Sequence, residues 1–139
     1  MHPPNTPFFE NDPFFSPMPD TETQLAPEAV QHRVDDVRER IAQACERAGR
    51  SADEITLVAV SKTFPMQAIE SGSAAGLTHF GENRARALRD RVEERPGKWK
   101  DGDVCWHMIG HLQTNKAKFI ARHADRFEAL DSPRLAKEL

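Results

Sequence analysis

A lysine at the end of an apolar run is the residue of this chain whose position most strongly indicates chemistry. Lys62 follows Ser61 and the uncharged, β-branched run 55–60, which is typical of a strand buried on both faces of a parallel sheet. A solvated lysine amine is almost wholly protonated at pH 7, whereas desolvation favours the neutral form that attacks a carbonyl carbon. The position fits a Schiff-base lysine. Contact with a bound anion and a structural ion pair, for example with Glu82, remain open alternatives.

Polar side chains also accompany the three further strands that the sequence predicts. Those strands are expected over 77–80, 104–109 and 126–130. Asn83 follows the second strand, His107 lies within the third, and Asp131 follows the fourth. Helices are predicted between and around the strands over 27–48, 65–75, 83–95 and 114–123, with a last helix that begins at Pro133.

This order, one helix and then four strand–helix units, predicts a parallel sheet. The sheet belongs either to a doubly wound α/β fold or to part of a (β/α)8 barrel. Both architectures bind ligands at the carboxyl ends of their strands, so Lys62 and Asn83 are expected on one rim. No glycine-rich dinucleotide or P-loop sequence follows a strand, which argues against those nucleotide sites.

Residues 1–26 differ in composition from the rest of the chain. They contain six of the ten prolines, four acidic residues and no Lys or Arg. Proline fixes φ and lacks a backbone N–H. We therefore expect a disordered acidic tail over 1–26 with no helix or central strand, and a single domain over 27–139.

The overall composition excludes several classes of protein. The chain has 19 Lys and Arg against 22 Asp and Glu, which is not the basic excess of a charge-driven nucleic-acid-binding protein. Its longest aliphatic run, 55–60, is far shorter than the roughly 20 residues that a membrane-spanning helix needs. Cys45 and Cys105 are too few for a disulfide framework and favour a reducing, cytoplasmic setting.

Three further patterns have structural interpretations. His107 and His111 are four residues apart but straddle a predicted strand end, and with no third ligand in view they predict no metal site. Cys105 is predicted to be a small core residue rather than a nucleophile. The arginines of the helix predicted over 83–95 interleave with acidic residues and are predicted to form a solvated face. They are Arg84, Arg86, Arg89, Arg91 and Arg95.

Three motifs at strand ends resemble those of one protein family. The segments ITLVAVSKTFP (55–65), FGEN (80–83) and WHMIGHLQTNK (106–116) are similar, in the same order, to sequences of the pyridoxal phosphate homeostasis proteins (YggS/PROSC type). The resemblance runs from about Val30 to Leu139. It implies a (β/α)8 TIM barrel like the amino-terminal domain of alanine racemase, of which this chain holds about the first four βα units after an amino-terminal helix.

The same resemblance implies a cofactor and its site. The family binds pyridoxal 5'-phosphate (PLP) as a lysine aldimine, which maps onto Lys62, with Asn83 and His107 beside the cofactor. It implies a role in intracellular PLP homeostasis without established catalytic turnover, with amino acids and PLP-dependent apo-enzymes as partners. Two positions depart from the family pattern. Phe64 stands where many members have a second lysine, and Arg84–Ala87 replaces a segment that often contains Val-Gln-Glu.

The chain of 139 residues is shorter than members of this family, which leaves alternatives to this function open. The family runs past 200 residues, and the resemblance places its phosphate-binding loops on later strands. We therefore expect a fragment with weak PLP binding on its own. The alternatives are a truncated, non-functional half-barrel and a half-barrel that depends on a partner. A PLP-dependent amino-acid racemase is disfavoured, because such racemases use a tyrosine from a second domain as the opposing base and this sequence contains no tyrosine.

Overall fold

The computed structural model describes residues 21–94, 97, 99–100 and 102–139. In this part of the chain the helices are α1 (Thr21–Leu25), α2 (Pro27–Ala48), α3 (Met66–Ala74), α4 (Ala85–Glu93), α5 (Ala117–Ile120) and α6 (Pro133–Glu138). The strands are β1 (Ala59–Val60), β2 (His79–Glu82), β3 (Cys105–Met108) and β4 (Arg126–Phe127). Short 3-10 turns cover Ala52–Glu54 and Thr114–Lys116. None of the described helices is both long and apolar enough to cross a membrane.

The four strands form one parallel sheet in the order β1-β2-β3-β4. Crossovers between parallel strands are right-handed, so strands added in sequence order place all their helices on one face of the sheet. A doubly wound sheet instead reverses its strand order at a switch point. The order therefore decides between the two predicted architectures, and it is that of consecutive strands in a (β/α) barrel.

The two faces of the sheet differ in chemistry, because successive side chains of a strand point to opposite sides. On the helix-covered face Phe80, Trp106 and Met108 are buried and pack with Leu88 of α4 and Ile120 of α5. The other face, here called the helix-free face, carries the alternate positions. These are His79 and Gly81 of β2 and Cys105 and His107 of β3, which pair with one another in register.

Local sequence signals set the ends of the two helices that flank the domain. Helix α2 has Pro27 in its first turn and ends at Gly49, whose φ of +64° is the left-handed conformation that glycine adopts without strain. Helix α6 begins with Pro133 after Ser132, whose side-chain oxygen accepts a hydrogen bond from the Leu135 N–H. Both boundaries agree with the sequence prediction.

Two predictions are wrong at the amino-terminal side of the domain. The sequence predicts no helix in residues 21–26, yet Thr21–Leu25 is helical, and Ser71 of α3 donates a hydrogen bond of 2.8 Å to the Leu25 carbonyl. The first strand is predicted over 55–60 but covers only Ala59–Val60, because β2 pairs with β1 at these two residues alone. The remainder of the predicted tail, residues 1–20, lies outside the described residues.

Candidate functional site at the carboxyl edge of the sheet

Lys62 lies in a tight turn that directly follows β1. The Ser61 N–H donates to the Gly81 carbonyl (3.0 Å), and the Phe64 N–H closes the turn on the Ser61 carbonyl (3.2 Å). Thr63, the third residue of the turn, has a φ of +67°, the sign that the third position of a type II turn requires. A β-branched residue rarely adopts this conformation, so the local chain is held in an unusual geometry beside Lys62.

A buried ion pair holds this turn against the sheet. Glu82 is 1% exposed, and its Oε1 accepts hydrogen bonds from Ser61 Oγ (2.9 Å) and from Arg91 Nε (3.2 Å). Arg91 also donates through Nη2 to the Phe64 carbonyl. The predicted solvated position of Arg91 is therefore wrong. Its side chain is 14% exposed. It connects helix α4 to the Lys62 turn directly at Phe64 and through Glu82 at Ser61.

This arrangement leaves the Lys62 amine without a carboxylate partner among the described residues. The structural ion pair with Glu82, one of the alternatives left open by the sequence, is excluded because Glu82 pairs with Arg91. The expected desolvation is not found either, since Lys62 is exposed in this structure. The amine thus lies open to solvent on a fixed turn at the carboxyl edge of the sheet, the edge at which parallel α/β sheets bind ligands.

The loop after β2 places Asn83 next to the loop after β3. The Ile109 N–H donates to the Glu82 carbonyl (2.9 Å), and Gly110 lies so close that a Cβ there would be 2.1 Å from the Asn83 carbonyl oxygen. Only glycine therefore fits at position 110. Asn83 is half-buried, and the packing of the two loops fixes its backbone at the rim.

The register of the sheet sets the depth of His107 relative to Lys62 and Asn83. Val60, Gly81 and His107 are neighbours across β1, β2 and β3. Lys62 and Asn83 each come two residues after a member of this row, beyond the ends of β1 and β2. His107 lies within β3, below them. It belongs to the layer below the rim.

His107 is buried and both of its ring nitrogens have partners. Nδ1 lies 2.6 Å from Glu128 Oε1, and Nε2 lies 2.9 Å from His79 Nδ1 and 3.5 Å from Cys105 Sγ. Because an ionised carboxylate can only accept, we assign the hydrogen of His107 to Nδ1 and a lone pair to Nε2. Burial, followed by the nearby His107 and Arg126, lowers the pKa of His79 from its ordinary value.

Two sequence interpretations change with this geometry. Cys105 does not belong to the hydrophobic core; it lies on the helix-free face beside His107. His111 does not join His107, as the sequence also indicates; its exposed ring instead lies 3.1 Å from Asp131 Oδ2. The functional residues that the sequence reasoning missed are His79 and Glu128. Their signal is the alternation of polar residues at every second position of neighbouring strands, which can be used only once the register is known.

Comparison with known proteins finds pyridoxal phosphate homeostasis proteins and related solved structures. The pyridoxal phosphate homeostasis protein of Escherichia coli K12 is 40% identical over 110 residues, which cover 79% of this chain and 47% of that protein. PipY of Synechococcus elongatus, solved with PLP bound, is 33% identical with a TM-score of 0.60 over 79% of this chain and 46% of PipY. A protein of Bifidobacterium adolescentis superposes with a TM-score of 0.66 at 30% identity, over 87% of this chain and 51% of its own.

These comparisons agree with the motif resemblance in the sequence and with the strand order of the sheet. No protein-family model matches the chain. The chain spans about half the length of the curated relatives it matches, 47% in the case of the Escherichia coli protein. The order and parallel pairing of its strands are those of the barrel implied by the motif resemblance. Over this half of their length, the chain is a homologue of the pyridoxal phosphate homeostasis proteins.

Proposed function

We propose that this chain takes part in intracellular PLP homeostasis by holding the cofactor covalently on Lys62. The observation that carries the proposal is the lone amine of Lys62 on a turn that Glu82 and Arg91 fix to the sheet. The neutral form of this amine, a small fraction at pH 7, would attack the aldehyde carbon of PLP. Nζ bonds to that carbon and water leaves, which gives a Schiff base.

Asn83 and His107 are the further cofactor-binding residues of this proposal. Asn83 follows β2, the strand paired with the one before Lys62, and its amide can donate to a ring substituent or accept from it. His107 lies one layer deeper and has both ring nitrogens occupied, so it would contribute the face of its ring to the floor of the cofactor site. The homology to PLP homeostasis proteins and the PLP bound to PipY support this reading.

The proposed activity is reversible holding of PLP rather than catalytic turnover. An amino acid releases the cofactor when its amine attacks the Schiff-base carbon and Lys62 leaves as the free amine. A PLP-dependent apo-enzyme can accept the released cofactor. Lys62 is exposed, which gives such an amine access to the bond.

Borohydride reduction tests the covalent link. The chain is incubated with PLP, reduced, digested and mapped by peptide mass. We expect the phosphopyridoxyl group on Lys62 and its loss in Lys62→Ala, while Lys137→Ala, which removes an exposed lysine of α6, keeps it. A label spread evenly over the exposed lysines would reject Lys62 as the site. A complete lack of label would favour the partner-dependent half-barrel.

A further inference from the structure

The helix-free face of the sheet carries three metal-ligating side chains in contact. Cys105 pairs in register with His79, and His107 follows two residues later on the same face of β3. One ligand atom from each of the three residues lies within 4.8 Å of the others. We propose that His79, Cys105 and His107 form a binding site for Zn²⁺. The site shares His107 with the proposed cofactor site and uses neither of the rim residues Lys62 and Asn83.

Two of the three distances between the ligand atoms are close to those of a tetrahedral zinc site, and the third is at most 4.8 Å. Zinc bonds of about 2.0–2.1 Å to nitrogen and about 2.3 Å to sulfur put tetrahedral ligands roughly 3.3 Å (N to N) and 3.6 Å (N to S) apart. The His79 Nδ1 to His107 Nε2 distance is 2.9 Å, and the Cys105 Sγ to His107 Nε2 distance is 3.5 Å. Side-chain movements of a few tenths of an ångström bring these two pairs to the zinc values.

The hydrogen bond from His107 to Glu128 prepares the ring for a metal. Metal-ligating histidines typically donate their other N–H to a carboxylate, which fixes the tautomer and turns the lone pair of the free nitrogen towards the ion. Glu128 Oε1 lies 2.6 Å from Nδ1, and the His107 side chain is 3% exposed. Nε2, which faces His79 and Cys105, therefore offers the lone pair that zinc needs.

Charge and protonation are compatible with a bound dication. Zinc binds the neutral form of each imidazole ring through a nitrogen lone pair. On binding, the Cys105 thiol gives its proton to water and the hydrogen of His79 moves from Nδ1 to Nε2 through solvent. The Cys105 thiolate, Glu128 and Asp125 then balance the charges of the zinc ion and of Arg126, which also acts electrostatically on His79.

Three protein ligands leave one tetrahedral position for water, and a set of one thiolate and two imidazoles is typical of zinc. Cobalt(II) reports the same site, because a cobalt–thiolate bond has a charge-transfer absorption that nitrogen and oxygen ligands do not give. Titration of the metal-free chain with Co²⁺ is expected to show this band with saturation at one ion per chain. Addition of Zn²⁺ is expected to remove it. A titration without the band would overturn the proposal.

Matched variants identify the ligands. We expect Cys105→Ser to abolish the band and to weaken Zn²⁺ binding by more than about 100-fold, because loss of a second-shell partner alone weakens it about 10–100-fold. Cys45→Ala, which removes the thiol on α2, and His111→Ala are expected to keep the band. A band that persists in Cys105→Ser and disappears in Cys45→Ala would contradict the assignment.

Glu128→Gln keeps the test decisive if the ligand variants unfold. Half of the Glu128 side chain is exposed, so its replacement should leave the fold intact, as circular dichroism can verify. We expect the cobalt band to remain and the Zn²⁺ affinity to fall about 10–100-fold. Unchanged affinity in the folded Glu128→Gln protein would show that His107 is not a ligand oriented by Glu128, and it would overturn the site as described.

Discussion

Arg91 Nε lies 3.2 Å from Oε1 of Glu82, a carboxylate that is almost completely buried. The second oxygen, Oε2, is buried without a hydrogen-bond partner among the described residues. The buried negative charge of Glu82 is thus stabilised by the cation of Arg91 and by a hydrogen bond from the Ser61 hydroxyl. Because Arg91 also donates to the Phe64 carbonyl, the same pair secures the turn that presents Lys62.

Replacement of Arg91 by methionine is expected to destabilise the protein strongly. The variant leaves the Glu82 carboxylate buried without its cation, and breaking a buried pair in this way typically costs about 3–5 kcal/mol. The measurement is the free energy of unfolding from urea titration. Arg50→Met is the control: Arg50 pairs with Glu54 in an exposed i,i+4 pair, and its loss should cost less than about 0.5 kcal/mol. Equal losses in the two variants would refute the burial argument.

The double variant Glu82→Leu/Arg91→Met is expected to be more stable than Arg91→Met alone. Removal of both charges abolishes the uncompensated carboxylate, and apolar replacement of a buried pair is often neutral or even stabilising. Ser61 Oγ retains the Gly81 carbonyl, 3.3 Å away, as an acceptor. A double variant less stable than the single one would mean that Glu82 contributes through contacts other than this pair.

The sequence predicts the elements well and their contacts poorly. The proline at the start of α6 and the glycine after α2 set local structure by themselves, and both predictions are confirmed. The apolar run before Lys62 contains a strand, but a shorter one than predicted. The strand order is not set by local sequence, because it depends on which edge of the sheet each new strand joins. Only the observed pairing distinguishes the barrel from the doubly wound fold.

The contacts around the candidate site depend on register, which a single sequence does not specify. Arg91 shares its helix with arginines whose acidic neighbours indicate a solvated face, and only the position of α4 over the buried Glu82 distinguishes it. Likewise Cys105 and His79 are 26 positions apart in the sequence and become neighbours through the β2–β3 pairing. Cys105 therefore resembles a core residue until the face that it shares with His107 is known.

Gly110→Ala is expected to be severely destabilising. A Cβ at position 110 would lie 2.1 Å from the Asn83 carbonyl oxygen, so the two backbone loops at the rim would have to separate. Overpacking typically costs about 1–3 kcal/mol, and a clash with backbone belongs at or above the upper end. Urea unfolding measures the loss. In Gly97→Ala the new Cβ meets nothing within 4 Å, so that control should be neutral or stabilising by up to about 1 kcal/mol.

Ser71→Ala is expected to loosen helix α1. The Ser71 hydroxyl donates to the Leu25 carbonyl in a buried hydrogen bond of 2.8 Å, and loss of the donor leaves that oxygen unsatisfied. This should lower the free energy of unfolding by about 1–3 kcal/mol and increase protease cleavage after residue 20. Ser73→Ala, two positions further along α3, is the control and should change stability by less than about 0.5 kcal/mol. Unchanged cleavage in Ser71→Ala would show that α1 is held by its apolar contacts alone.

Thr63→Gly is expected to separate stability from cofactor binding. Thr63 has a φ of +67°, and such strain in a non-glycine residue costs about 1–3 kcal/mol. Glycine relieves the strain but adds freedom to the unfolded chain, so a net stabilisation of about 1 kcal/mol is expected from urea unfolding.

If the turn serves to hold Lys62 in place for PLP, the same variant should label more slowly in the borohydride assay, because its Lys62 turn is less rigid. Thr56→Gly, at an exposed position without positive φ, should lose stability and label normally. A Thr63→Gly protein that is more stable and labels as fast as the parent would show that the strained turn has no part in the presentation of Lys62.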